Sequence, residues 1–367
     1  MVSPARLRSH ADTATALALL SDRDLAELVA SGTPAGNGIG GRATLLEVDG
    51  VRVFVKRVPL TDAELHPDHV RSTANVFDVP AHCHYGIGAV GSPGFGAWRE
   101  LAAHEMTTNW VRAEAFPGFP LLHHWRVLPD AHQRLPEELA DVEGAVAYWG
   151  GGRERIEALG TASTSLALFL EYQPRTLHAW LHEQLRSDDA DSACALVEHG
   201  LEAVTDFLQK QQLTHFDAHF RNILTDGQQL YLADFGLALS DRFELALPEG
   251  DFYDSHRRYD RAYALSYLVH WLVVDQYGLT RDAREDFIRA CADGKRPEAI
   301  PGAAAALISR HARLASVVGD FNRRLEQESR LTPYPHAEVD ALSPEAVSAG
   351  SSTMSSSRAS TLGSSGK

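Results

Sequence analysis

Apolar residues recur with two different periods along this chain, and the change of period divides it. From residue 32 to 58, "GTPAGNGIGGRATLL" and "VDGVRVFVKRV" predict strands. Val51, Val53 and Val55 alternate onto one face with Lys56 on the other, and Asp49-Gly50 is a hairpin turn signal. "WRVLP" and "STSLALFLEYQP" predict two more strands, flanking a helical insertion near residues 135 to 158, and Pro174 ends the second. "AWRELAAHEMTTNWVRAE" has helical spacing, whereas residues 61 to 97, rich in His, Pro and Gly, read as a long excursion. Beyond Pro174 the period becomes helical: Val197, Leu201, Val204 and Leu208 fall at i, i+4, i+7 and i+11, and Tyr263 to Val274 and Leu307 to Leu325 carry comparable stripes. One strand-rich stretch, "THFDAHFRNILTDGQQLYLADFGLALS" at 214 to 240, interrupts these helices.

The expected class is α+β in two lobes joined near Glu171 to Pro174. A helical extension covers 1–30, and a small β-rich lobe covers 31–172 with insertions near 61–97 and 130–160. A larger helical lobe covers 173–335, and a Ser-rich tail over 336–367 is expected to be disordered. With 367 residues, 44% of them apolar, the chain can bury a full core. A formal charge of −15 without any basic block disfavours nucleic acid and anionic membrane as partners. No run approaches the roughly 18 apolar residues of a membrane span. The first residues read as an amphipathic helix broken by Asp22 and Asp24 rather than as a signal peptide. Cys83, Cys194 and Cys291, odd in number and far apart, argue against a disulfide framework and for a reducing compartment, so a cytoplasmic location is expected.

Chemistry concentrates in residues 214 to 240. His215, Asp217 and Asn222 are spaced H-x-D-x-x-x-x-N, and Asp234 begins D-F-G after the strand-like "LYLA". These residues resemble the catalytic loop and metal-binding segment of the protein-kinase-like superfamily, over about residues 30 to 275. The resemblance implies a bilobal kinase fold using ATP and Mg, with Asn222 and Asp234 holding the metal. Asp217 would orient the acceptor hydroxyl and take its proton. The other reading of these residues is turn formation, since Asn and Asp favour loops.

Distant motifs in the required order weigh against mere turns. Gly36, Gly38 and Gly41 form G-x-G-x-x-G between two strands, where absent side chains let backbone N–H groups approach phosphate. Lys56, the only lysine before Lys210, stands where the family's strand lysine contacts the α- and β-phosphates. Its expected helix partner is Glu105, which shares the apolar stripe of Trp98 and Leu101. Glu100, about 140° away around the helix, lies with His104 and Thr107. "LALFLEYQP" resembles the hinge, whose backbone at Glu171, Tyr172 and Gln173 would bond adenine. Asp260 resembles the helix aspartate that supports the catalytic loop, with helix N-capping an equal reading. A second glycine match, "GIGAVG" at 86 to 91, has no preceding strand and reads as a mobile loop.

Several positions depart from the family pattern. Phe216 replaces the arginine that usually precedes the catalytic aspartate. His219 matches aminoglycoside- and choline-type phosphotransferases, and Arg221 matches tyrosine kinases, whereas the intact D-F-G followed by Leu237-Ala238 is closer to protein kinases. The expectation is ATP- and Mg-dependent phosphorylation of Ser/Thr hydroxyls on proteins, with the Ser-rich tail as an autophosphorylation target. Phosphorylation of a small molecule is the alternative, and a nucleotide-binding scaffold the third reading. His66, His69, His82 and His84 with Cys83 suggest zinc only weakly, because no C-x-x-C accompanies them. Arg153 and Arg155 read as a solvated turn.

Overall fold

In the computed structural model, which describes residues 2–38, 41–131 and 135–342, two capped helices come first. Helix α1 (Pro4–Ala18) starts where the Ser3 side chain accepts from the Arg6 amide, and α2 (Asp22–Ser31) is capped the same way by Ser21. Asp22 and Asp24 lie in the first turn of α2, where they favour its positive end. A five-stranded antiparallel sheet follows, made of β1 (Thr33–Gly38), β2 (Gly41–Val48), β3 (Val51–Leu60), β4 (Leu122–Pro129) and β5 (Thr164–Glu171), in the order β1-β2-β3-β5-β4. Both faces of this sheet are covered. Val53 and Val55 pack with Leu46 and Phe169 against Leu17, Leu25 and Val29 of α1 and α2. The alternate positions Val58 and Leu60 pack with Leu166 and Leu168 against Ala97, Trp98 and Leu101. Each such side chain contributes roughly 1.5–3 kcal/mol on burial, which explains why β5 reads as an almost unbroken apolar run.

The excursion after β3 is anchored throughout. Thr61 and Glu64 form a capping box on the short helix α3 (Asp62–Leu65). The Glu64 carboxylate reaches further: it accepts from the Ala97 amide at 2.7 Å, the first residue of α4 (Ala97–Arg112), and from Arg155 at 2.7 Å. Arg155 belongs to α6 (Arg153–Thr161), which follows α5 (Val142–Trp149). The turn reading fails for both, since they open α6: Arg155 is buried on Glu64, and Arg153 is solvated but paired at the surface with Glu143. His82 and His84 bond the Trp149 and Leu237 carbonyls. Among the described residues, no three His, Cys, Asp or Glu side chains gather as they would around a metal ion.

Beyond β5 the chain is mostly helical, with short strands β6 (Arg175–Thr176), β7 (Leu213–Thr214), β8 (Ile223–Thr225), β9 (Leu230–Leu232) and β10 (Leu239–Ser240). The helices are α7 (Leu177–Gln184), α8 (Ala190–Lys210), α9 (Leu247–Ser255), α10 (Tyr259–Tyr277), α11 (Arg281–Ala292), α12 (Gly302–Gln327) and α13 (His336–Ala341). The Val197, Leu201, Val204 and Leu208 stripe of α8 is buried against α10 and α12. The architecture is mixed α+β. Helix α13 occupies the start of the stretch expected to be a disordered tail; the remainder of that tail, with its serines, lies outside the described residues. The three cysteines are free and buried, and among the described residues no helix is long and apolar enough to cross a membrane.

Candidate active site

Three segments far apart in sequence meet at one ammonium group. Lys56 leaves β3 on the face opposite Val53 and Val55, and its Nζ lies 2.7 Å from Glu100 Oε1 and 2.7 Å from Asp234 Oδ1. The partner on α4 is thus Glu100, which corrects the expectation of Glu105. Helix α4 is buried on two sides: Trp98 and Leu101 meet the sheet, while Glu100 turns toward Lys56 and His104 toward Phe235. An apolar stripe therefore marks the sheet-facing side, not the side that meets the lysine. Glu105 pairs instead with Arg71 of the excursion, both partly exposed. Burial by itself depresses the Lys56 ammonium, but Asp234 and Glu100 outweigh it and push its pKa above the ordinary lysine value.

The segment from His215 to Asn222 is held by buried hydrogen bonds. The Asp260 carboxylate accepts from the His215 amide at 2.6 Å and the Phe216 amide at 2.9 Å, so this residue braces the loop from the first turn of α10. Burial pushes its carboxyl up to about 6 against those two bonds. His215 accepts from the Asp217 amide at Nδ1 and faces the Ala233 carbonyl with Nε2 at 2.9 Å, tying the loop to the residue before Asp234. Phe216 and Asp234 both take left-handed backbone, at φ 65 each. Such strain persists only where surrounding contacts enforce it. For Phe216 the contacts are aromatic: its ring packs on His84, Phe252 and Tyr259.

Asp217 and Asn222 stand beside this group. Asn222 Nδ2 donates to Asp217 Oδ2 at 2.9 Å, which leaves Asn222 Oδ1 as an available hard ligand. Asp234 uses Oδ1 on Lys56 and keeps Oδ2. Two oxygens from one amide and one carboxylate, with phosphate and water to complete the shell, suit Mg2+ on a nucleotide better than an all-protein metal cage. Burial pushes the Asp234 carboxyl up, but Lys56 overrides it and holds the pKa at about 2. Asp217 is driven the other way. Burial, and after it the Asp234 charge, raises its carboxyl to about 8 against the Asn222 hydrogen bond and Lys56. His219 Nδ1 accepts from the Arg221 and Asn222 amides, so its Nε2 carries the proton and faces Asp217 Oδ1 at 3.7 Å.

A cavity of about 720 Å3 opens between these groups and the sheet, lined among others by Gly36, Gly41, Lys56, Tyr172, Asn222 and Asp234. The glycine motif is shorter than its spacing suggests, because β1 runs through Gly36 and Gly38, and Gly38 pairs with Gly41. Gly41 is required by packing: at φ 126, a Cβ there would lie 2.1 Å from the Arg57 carbonyl oxygen. Gly36 has φ 135 with nothing within 4 Å, leaving its backbone open to the cavity. Of the three residues expected at a hinge, Glu171 is already engaged. Its amide donates to the Leu121 carbonyl and its carboxylate takes Arg6 at 2.7 and 2.8 Å. Tyr172 and Gln173 line the cavity with no backbone–backbone hydrogen bond of their own. Arg6 also bonds the Pro117 and Phe119 carbonyls, so α1 clamps the outside of this strand end.

Sequence reasoning missed Glu64 and Arg6, and it weighed Glu100 as the partner of Lys56 but chose Glu105. Glu64 carried a legible sign, the T-x-x-E capping pattern from Thr61; Glu100 and Arg6 depend on contacts 44 and 165 residues away in the chain. No protein-family model matches this sequence, and no curated protein matches it.

Proposed function

We propose that this chain is an ATP- and Mg2+-dependent phosphotransferase with a bilobal, protein-kinase-like fold, the sheet and the helical region forming the two lobes around the 720 Å3 cavity. One observation carries the reading: Lys56, Glu100 and Asp234, separated by up to 178 residues, meet at 2.7 Å with Asp217 and Asn222 alongside. A buried lysine between two carboxylates is costly to assemble and suits a site that must grip phosphate. Lys56 would bind the α- and β-phosphates, Tyr172 and Gln173 would offer backbone groups to adenine, and Asn222 and Asp234 would hold Mg2+. That ion, when bound, would neutralise charge building on the phosphate oxygens. Asp217 would orient the acceptor hydroxyl and receive its proton, a contribution of about 10²–10⁴ in rate.

Two acceptors fit this chemistry, a Ser/Thr hydroxyl on a protein or a small molecule. The course of the excursion favours the small molecule. Residues 72 to 86 lie over the segment after Asp234: Ser72 bonds Glu244, Thr73 accepts from the Glu244 amide at 2.9 Å, and His84 bonds Leu237. A peptide would have to displace that cover. Incubation with labelled ATP and Mg2+, with a generic protein and with a metabolite panel, tests the reading. Asp217→Asn should retain nucleotide binding and lose transfer by about 10² or more; undiminished turnover in that variant refutes the role given to Asp217.

A further inference from the structure

A smaller space, of about 150 Å3, continues the 720 Å3 cavity and shares one lining residue with it, Asp234. Strand β3 runs along both: Phe54 and Lys56 line the larger cavity, Val58 and Pro59 the smaller. Because Val53 pairs with Glu171, the strand leads from the end beside Tyr172, past Lys56, to the smaller space. A nucleotide laid with adenine at Tyr172 and phosphates at Lys56 therefore points its last phosphate toward it. Asp217 lines only the smaller space and keeps 23% of its side chain exposed, so that space is open. Two segments complete the walls: the excursion, through Gly86 and the run from Gly91 to Gly96, and α6, through Arg155 and Leu159. A Cβ on Gly86 would lie 3.1 Å from Asp217 Oδ1, so the excursion backbone reaches the edge of that carboxylate.

Size and chemistry restrict what fits there. A space of about 150 Å3 holds roughly six non-hydrogen atoms. Arg155, the one cation among the described lining residues, is matched by Glu64 at 2.7 Å, so an anionic ligand finds no free counter-charge. Phe95, the one aromatic ring among them, is stacked on His84 with centroids 3.6 Å apart, so no cage of rings awaits an organic cation. Neutral hydrogen bonding remains. Arg155 donates through Nε to the Pro93 carbonyl and through Nη1 to Glu64, and among the described residues nothing accepts from its Nη2, although the side chain is 4% exposed. Ser92 Oγ accepts from the Gly94 amide at 3.1 Å and keeps its own hydrogen to donate. Two donors and the Asp217 carboxylate around so small a space match a molecule whose groups both donate and accept, a short chain of hydroxyls.

We propose that this space is the acceptor subsite and takes an uncharged polyol of three or four carbons. The proposal rests on the phosphotransferase reading. One terminal hydroxyl oxygen attacks the γ-phosphorus of ATP, the bond to the β-phosphate oxygen breaks, ADP leaves, and the hydroxyl proton passes to Asp217. A coupled ADP assay on the full chain with ATP and Mg2+ compares glycerol and erythritol with glucose, glycerate, ethanolamine and a generic protein. Glycerol or erythritol should raise ADP formation about tenfold or more over the rate without acceptor, and glucose, too large for the space, should not. Leu159→Trp narrows the space from a half-buried position and should raise the polyol KM about tenfold with kcat within about threefold. Arg155→Lys keeps the charge beside Glu64, removes the Nη2 donor, and should raise that KM severalfold. Neither should change the affinity for a fluorescent ATP analogue, since neither residue lines the larger cavity. Absence of turnover with both polyols overturns the proposal, as does turnover whose KM neither variant raises. ADP formation with glucose, glycerate, ethanolamine or protein but with neither polyol overturns it while the phosphotransferase reading stands. If the ATP analogue does not bind and no acceptor yields ADP, the phosphotransferase reading itself fails, and the acceptor role with it.

Discussion

Glu100→Gln and Glu105→Gln each remove one charge from the same helix without changing shape, and the structure separates their consequences. The Glu100 side chain is 2% exposed and its partner Lys56 9% exposed. Loss of one member of a buried pair costs about 3–5 kcal/mol because the other charge is stranded. Lys56 keeps Asp234 at 2.7 Å, which places the expected cost at the lower end, about 3 kcal/mol. Glu105 and Arg71 are 34% and 51% exposed, and a pair of that kind contributes about 0–1 kcal/mol. Urea unfolding followed by tryptophan fluorescence measures both variants, and titration with a fluorescent ATP analogue reports the site. Glu100→Gln should shift the midpoint and weaken nucleotide binding, while Glu105→Gln should do neither to a comparable extent. Equal shifts, or a larger one for Glu105→Gln, would refute the assignment of Glu100 as the buried partner.

Further substitutions probe separate parts of the molecule. Gly41→Ala forces a Cβ to 2.1 Å from a backbone oxygen and should cost well over 2 kcal/mol in unfolding free energy, whereas Gly36→Ala meets only open space. Its penalty should be the backbone strain alone, about 1–3 kcal/mol, so the rank order of the two in denaturant is the test. Arg155, after the opposing effect of burial, holds the Glu64 carboxyl below its usual range. The folded state then binds fewer protons there than the unfolded chain, so this contribution is complete above the ordinary carboxylate pKa and is lost as pH falls through and below it. Glu64→Gln should therefore flatten the acid side of a stability-against-pH curve between pH 5 and 3, as read by unfolding at about five pH values; an unchanged slope excludes Glu64 as a contributor. Arg6→Ala frees Glu171 and two carbonyls and should lower nucleotide affinity severalfold by loosening the strand end beside Tyr172.

The local elements were legible because each is written in a local period. Val51, Val53, Val55 and Lys56 alternate as β3 does, and the α8 stripe from Val197 to Leu208 lies on one face of a single helix. The spacing of His215, Asp217, Asn222 and Asp234 singled out the segment that meets Lys56, and of the two readings of Asp260 the loop-supporting one matches its bonds to the His215 and Phe216 amides. What the sequence by itself determined was therefore the elements, the α+β class and most of the polar residues that converge. Tertiary structure alone decided which partner each of them has. Glu100 rather than Glu105 meets Lys56 because α4 is buried on two faces, and no periodicity says which of two buried faces meets a strand 44 residues earlier. The excursion was read as loose because its residues lack a period, yet buried ion pairs and aromatic contacts fix it, through Glu64, His84 and Gly86, against groups up to 153 residues away. Interactions between distant residues depend on how the elements are brought together in space, and a one-dimensional pattern carries no record of that.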